Sequence, residues 1–103
     1  MSIPKEFLRQ DKIRAVCSIR NLKTDEVYLY KTEDAVKSYS DERFRLDLGI
    51  HTNKRLQSEY TSLGLELFVI AIDEETGPGM NLDTLLEERR RWYLSQGKKL
   101  YNS

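Results

Sequence analysis

Apolar and polar residues alternate over residues 12–20, KIRAVCSIR, with Ile13, Ala15, Cys17 and Ile19 on one face and Arg14, Ser18 and Arg20 mostly on the other. A period of two is that of a strand with one buried side. Asn21 to Glu26 then supplies turn-forming side chains and Val27-Tyr28-Leu29-Tyr30 resumes with β-favouring residues, so the two runs predict an antiparallel hairpin. From Thr32 to Leu48 the chain is charged, and Ala35, Tyr39, Phe44, Leu46 and Leu48 are spaced too irregularly for one clean stripe. A helix broken near Ser38 to Asp41 is expected there. Gly49 can stop it, and Asn53 can cap a second helix whose Leu56, Tyr60 and Leu63 repeat at i, i+4 and i+7 before Gly64.

Leu67 to Ile72 is a continuous apolar run bounded by Gly64 and Asp73-Glu74-Glu75. It predicts a strand covered on both faces, the central one of the sheet, with the three acids solvating its end. Glu74 to Met80 reads as a loop, after which Asn81 can cap a helix that places Leu82, Leu85, Leu86, Trp92 and Tyr93 on one face with Arg89 in its middle. That helix should end near Gly97, leaving Lys98 to Ser103 to return to the sheet. Ser2 before Pro4 is a short helix start near the terminus.

At 103 residues the chain allows one domain, with a core thin enough that every apolar segment is needed. Aromatics at 10% argue against disorder. Seventeen basic residues balance seventeen acidic ones, which lowers the expectation of tight nucleic-acid binding, because a dedicated binder carries a basic excess to displace counterions. Cys17 is the sole cysteine and cannot form an internal disulfide; a small core side chain is its expected role. The start MSIPKEFLRQDK lacks a secretory apolar stretch, so a cytoplasmic location is expected. No apolar run is long enough to span a bilayer, and no membrane, haem or nucleotide cofactor is expected.

Over residues 13–102 the order and the local residues resemble the GIY-YIG endonuclease-like family. Ile19-Arg20-Asn21 leads through a short turn into Val27-Tyr28-Leu29-Tyr30, as the family's Ile-x-Asn leads into Val-Tyr-Ile-Gly. Arg43-Phe44-Arg45-Leu46, then Gly49 to Gln57 with His51, Asn53 and Leu56, then Tyr60, Gly64 and Phe68, match its middle section. Trp92-Tyr93-Leu94 and Tyr101-Asn102 match its end. The resemblance implies an α+β fold within the α/β class, a small three-stranded antiparallel sheet flanked by helices. It also implies phosphodiester cleavage with one divalent ion held by a helix Glu, tyrosines near the attacking water, and a helix Arg on the phosphate.

The chain departs from that chemistry at most positions. The first motif falls on Ala15-Val16-Cys17, so Cys17 replaces a Tyr; the second falls on Tyr28-Leu29-Tyr30 and keeps only Tyr28. The helix Arg falls on Ser38, the His or Tyr one turn later on Glu42, and the metal-binding Glu on Arg90, or Arg89 in a register one residue away. A guanidinium about 4 Å from a divalent ion, at an effective dielectric near 20, is repelled by on the order of 8 kcal/mol. The expectation is therefore a domain that does not cut by this route and uses no metal. Cys17, Tyr28, Ser38, Glu42 and Arg90 are its vestigial positions, and a nucleic-acid contact or a protein-interaction or regulatory role is open. Arg43, Arg45, Lys54, Arg89, Arg90 and Arg91 are the phosphate-contact candidates. Arg89 is expected in an internal ion pair near Glu87 and Glu88, Tyr28 in the core, and His51 in shaping the helix start beside Asn53. The alternative is a Mg²⁺-dependent endonuclease with a rearranged site using Glu87, Glu88 or Asp73.

Overall fold

A computed structural model describes residues 12–102; the helix start expected at Ser2 lies outside them. The elements are β1 (Arg14–Asn21), β2 (Val27–Thr32), α1 (Ala35–Leu48), α2 (Lys54–Leu63), β3 (Phe68–Thr76) and α3 (Leu82–Ser95), with a short 3₁₀ turn at Leu65–Leu67. All strand pairs are antiparallel and the order is β2-β1-β3. The hairpin closes where Asn21 Oδ1 accepts the Lys23 N–H at 2.9 Å and Asp25 takes a positive φ of 64°, a conformation Asp tolerates better than most residues. The tail returns as expected: Leu100 bridges Val27 in parallel, and the Asn102 side chain accepts the Leu29 N–H at 3.4 Å and donates to the Leu29 carbonyl at 2.6 Å. A carboxamide thus satisfies the free edge of β2 where a further strand would.

The sheet divides the interior by its alternation. Ala15, Cys17 and Ile19 of β1, Tyr30 of β2 and Phe68 and Ile70 of β3 pack with α1 and α2. Val16, Val27 and Leu29 pack with Leu82 and Leu85 of α3.

Four expectations need correction. Leu67–Ile72 is not the central strand: β1 is central and β3 lies outside it, with Val69 39% exposed. The run is apolar because its two sides meet different environments, one buried and one half-open. α1 is unbroken between Ser38 and Asp41, since Ser38 Oγ bonds back to the Ala35 carbonyl at 3.0 Å and Lys37 pairs with Asp41 one turn on at 3.1 Å. Its buried stripe is Ala35, Tyr39, Glu42 and Leu46, and the buried Glu hid the period. The loop is shorter than Glu74–Met80, because β3 runs on to Thr76. Asp73 does not solvate the strand end: its side chain is 6% exposed.

Candidate functional site

On the α1–α2 side, Tyr28, Glu42 and His51 form one cluster. His51, in the loop that Gly49 opens with its left-handed φ of 78°, has a side chain only 1% exposed. Its Nδ1 accepts the Asn53 N–H at 3.0 Å, so the ring proton sits on Nε2 and is donated to Glu42 at 2.9 Å. Arg45 donates to the same carboxylate oxygen at 3.1 Å. The Tyr28 ring meets the imidazole edge-on, centroids 5.1 Å apart. Burial first, and the Glu42 charge second, raise the Tyr28 phenol above its ordinary pKa. Both imidazole nitrogens are engaged, so neither can take a proton from a substrate without breaking the fold locally. Asn53 keeps its capping role, accepting the Leu56 N–H at 3.0 Å.

Strand register links two of the departures from the family pattern. Cys17, where the family has Tyr, lies directly across the hairpin from Tyr30, where the family has Gly. A large ring and a small side chain thus face each other across adjacent strands and share one part of the core. The Tyr30 hydroxyl is buried without a well-formed hydrogen bond, near Ser38 and the Cys17 thiol, and burial drives its pKa far upward. Neither Tyr30 nor the buried state of Glu42 was singled out from sequence; counting the hairpin register back from the Asn21 turn would have found the first.

On the α3 side, β1 and β3 slip by one residue between Val16 and Cys17, which pair with Glu74 and Ile72. Asp73 is the extra residue, and such a bulge re-aims its side chain, here toward α3. Arg89 Nε donates to Asp73 Oδ2 at 2.7 Å and Tyr93 Oη to Oδ1 at 2.6 Å, while the guanidinium stacks 4.6 Å from the Trp92 centroid. The internal ion pair therefore joins Arg89 to Asp73, and not to Glu87 or Glu88. Burial, and the carboxylate beside it, push the Tyr93 phenol up to about 12. Arg90 points elsewhere: Nη1 donates to the Asn102 carbonyl at 2.7 Å, beside the Leu29 edge, and Nε is 3.9 Å from Glu87.

The phosphate candidates do not converge. Arg43 is 13% exposed with Nε 3.8 Å from Asp47, Arg45 serves Glu42, and Lys54 is exposed at the start of α2. Arg89 to Arg91 lie on α3, with only Arg91 fully at the surface.

A hard divalent ion needs at least one uncommitted carboxylate beside waters and substrate phosphate, and among the described residues no three His, Cys, Asp or Glu side chains are grouped to hold one. Glu42 is shared by a His and an Arg, and Asp73 by an Arg and a Tyr. The donor set does not fit the ion the family resemblance implies. No described helix is long and apolar enough to cross a membrane.

No protein-family model matches the sequence, and no curated protein matches it significantly. Among solved structures the chain is similar to the catalytic domain of the homing endonuclease I-TevI, with 23% identity over 81% of this chain and 86% of that one and a TM-score of 0.65. It is also similar to a mutant of that catalytic domain, with 24% identity over 82% of each chain and a TM-score of 0.63. At these identities the likeness is one of fold: the chain has the fold of a GIY-YIG endonuclease catalytic domain.

Proposed function

We propose that the domain contacts nucleic acid without cutting it by the metal-dependent route of the nucleases whose fold it shares. The observation that carries this reading is the closure of the Tyr28 cluster, in which the Glu42 carboxylate already accepts from His51 and Arg45. A cation entering there would have to displace a guanidinium and an imidazole N–H from the one carboxylate they share. Ser38, where the family has its phosphate-steadying Arg, bonds within its own helix and supplies no charge to a transition state. The rearranged alternative loses Asp73 to Arg89 and Tyr93, leaving Glu87 and Glu88 on an exposed helix face.

The test is incubation of the protein with single- and double-stranded DNA and RNA in millimolar Mg²⁺ or Mn²⁺. No cleavage is expected. Cutting that disappears in Tyr28→Phe would overturn the proposal, and Mg²⁺-dependent NMR shifts confined to Glu87 and Glu88 would favour the rearranged enzyme. Retention of an oligonucleotide at low salt, weakening steeply as salt rises, is the expected sign of phosphate contact.

A further inference from the structure

α3 packs its apolar side on β1 and β2 and reaches β3 through Arg89 and Tyr93 to Asp73, so the α3 side of the sheet is only partly covered. A groove of about 340 Å³ remains there, lined by Val27, Val69 and Ala71 from the sheet, Trp92 from α3, and Arg20 and Lys98. Val69 is 39% exposed and Trp92 46%. The Arg89 guanidinium lies over the indole at 4.6 Å from its centroid and Tyr93 meets it at 86°, which fixes the ring while leaving nearly half the residue open. Near Lys98, two cations share one carboxylate: Arg20 is 3.6 Å from Asp25, and Lys98 bonds to it. One positive charge is left over. Asp73, which also lines the groove, is neutralised by Arg89.

We infer that this groove binds a single-stranded nucleic-acid segment, one base stacking on Trp92 and the adjoining phosphate held by Arg20 and Lys98. A held aromatic ring beside one net positive charge suits a ligand that carries a flat π face and an anion close together, which every nucleotide does and an acidic side chain does not. The groove's volume is at the small end for ligand sites, enough for one such unit. It lies across the sheet from Tyr28, Glu42 and His51, so it needs nothing from that closed cluster. The inference rests on the reading of the domain as a nucleic-acid contact and names the surface that makes it.

Trp92 is the only tryptophan in the chain, so its fluorescence reports on this groove alone. The wild-type protein is titrated at low salt with oligothymidylate, thymidine monophosphate and polyglutamate, while anisotropy of a labelled oligonucleotide records binding anywhere. Oligothymidylate should quench Trp92, and log K should fall with log salt at about 0.7 per phosphate held, hence a slope of about −0.7 for the single phosphate, which Lys98→Gln brings toward zero. Trp92→Leu should weaken binding about tenfold. Binding by anisotropy with unchanged Trp92 emission, and unaltered in Trp92→Leu, overturns the inference while leaving the nucleic-acid reading intact. Absence of any binding at low salt overturns both. Equal quenching by polyglutamate points to an acidic peptide, and equal affinity for the monophosphate to a free nucleotide; either overturns the strand assignment.

Discussion

The two sides of the sheet bury charge in opposite ways. On the α1–α2 side, Glu42 and His51 are 7% and 2% exposed, and their hydrogen bonds run to each other, to the Asn53 backbone and to Arg45, whose exposed side chain closes the cluster from outside. On the α3 side, Asp73 is just as enclosed, but its partner Arg89 leads out to a tryptophan that solvent reaches. A polar network whose members satisfy one another in a low-dielectric interior fixes one conformation and leaves no group for a substrate. A network that ends at an exposed ring can still stack with something. The closed side holds Tyr28, Glu42 and His51, and the side that remains open holds Arg89, Trp92 and Tyr93.

Removing one member of each network tests whether the first is the more tightly closed. His51→Ala leaves the Glu42 carboxylate buried with only Arg45 beside it and should lower stability by about 3 kcal/mol, from a lost hydrogen bond to a buried charge together with the space left by a fully buried ring. Urea unfolding measures it, and a loss under about 1 kcal/mol would mean that water reaches Glu42. Arg89→Ala strips Asp73 in the same way, but Arg89 is 21% exposed and water can refill the space, so about 2 kcal/mol is expected. A double-mutant cycle with Asp73→Asn should recover most of that loss, whereas Glu88→Gln should show no coupling to Arg89. If the two losses come out in reverse order, the contrast between a closed and an open side fails.

Sequence pattern served well where one side chain decides one local event. Asn53 and Asn81 cap their helices, Gly49 and Gly64 end theirs with positive φ, and the alternation of Ile13 to Ile19 marks the inner face of β1. It served badly where the deciding partner is distant. The apolar run Leu67–Ile72 looks alike whether its strand is central or lateral, because residue type records burial and not strand order. Asp73 looks like a solvated acid until the bulge turns it toward Arg89, and a bulge depends on two strands together. Glu42 looks like a surface residue because a carboxylate in a helical stripe is ordinarily one, and only the His51 loop makes it interior. The same limit applies to the site: Tyr28, Glu42 and His51 could be picked out one by one, but the pairing of Cys17 with Tyr30 and the closure around Glu42 are properties of pairs.

Smaller effects sharpen the contrast. Asn102→Ala removes the carboxamide that satisfies both backbone groups of Leu29 at the β2 edge, and should cost about 1 kcal/mol and speed exchange of the Leu29 amide, while the β1 amides keep their protection. The subtlest test is alkaline titration. Tyr60 on α2, Tyr93 on α3 and the tail residue Tyr101 are each pushed up to about 12, by burial first and then by a phenol hydrogen bond to Asp47, Asp73 and Glu59 respectively. A folded pKa above the unfolded value near 10 means that the folded state holds the proton more tightly. The stabilisation is then fully present below pH 10 and is lost as pH rises through 12. Absorbance at 295 nm should therefore lag free tyrosine in the folded chain, and unfolding should begin in that window. Asp73→Asn should draw the Tyr93 step back toward 10 and leave that of Tyr60 unmoved, since the sheet separates the two carboxylates. A shift of both together would mean that the two sides are electrostatically joined and that the open groove and the closed cluster act as one site.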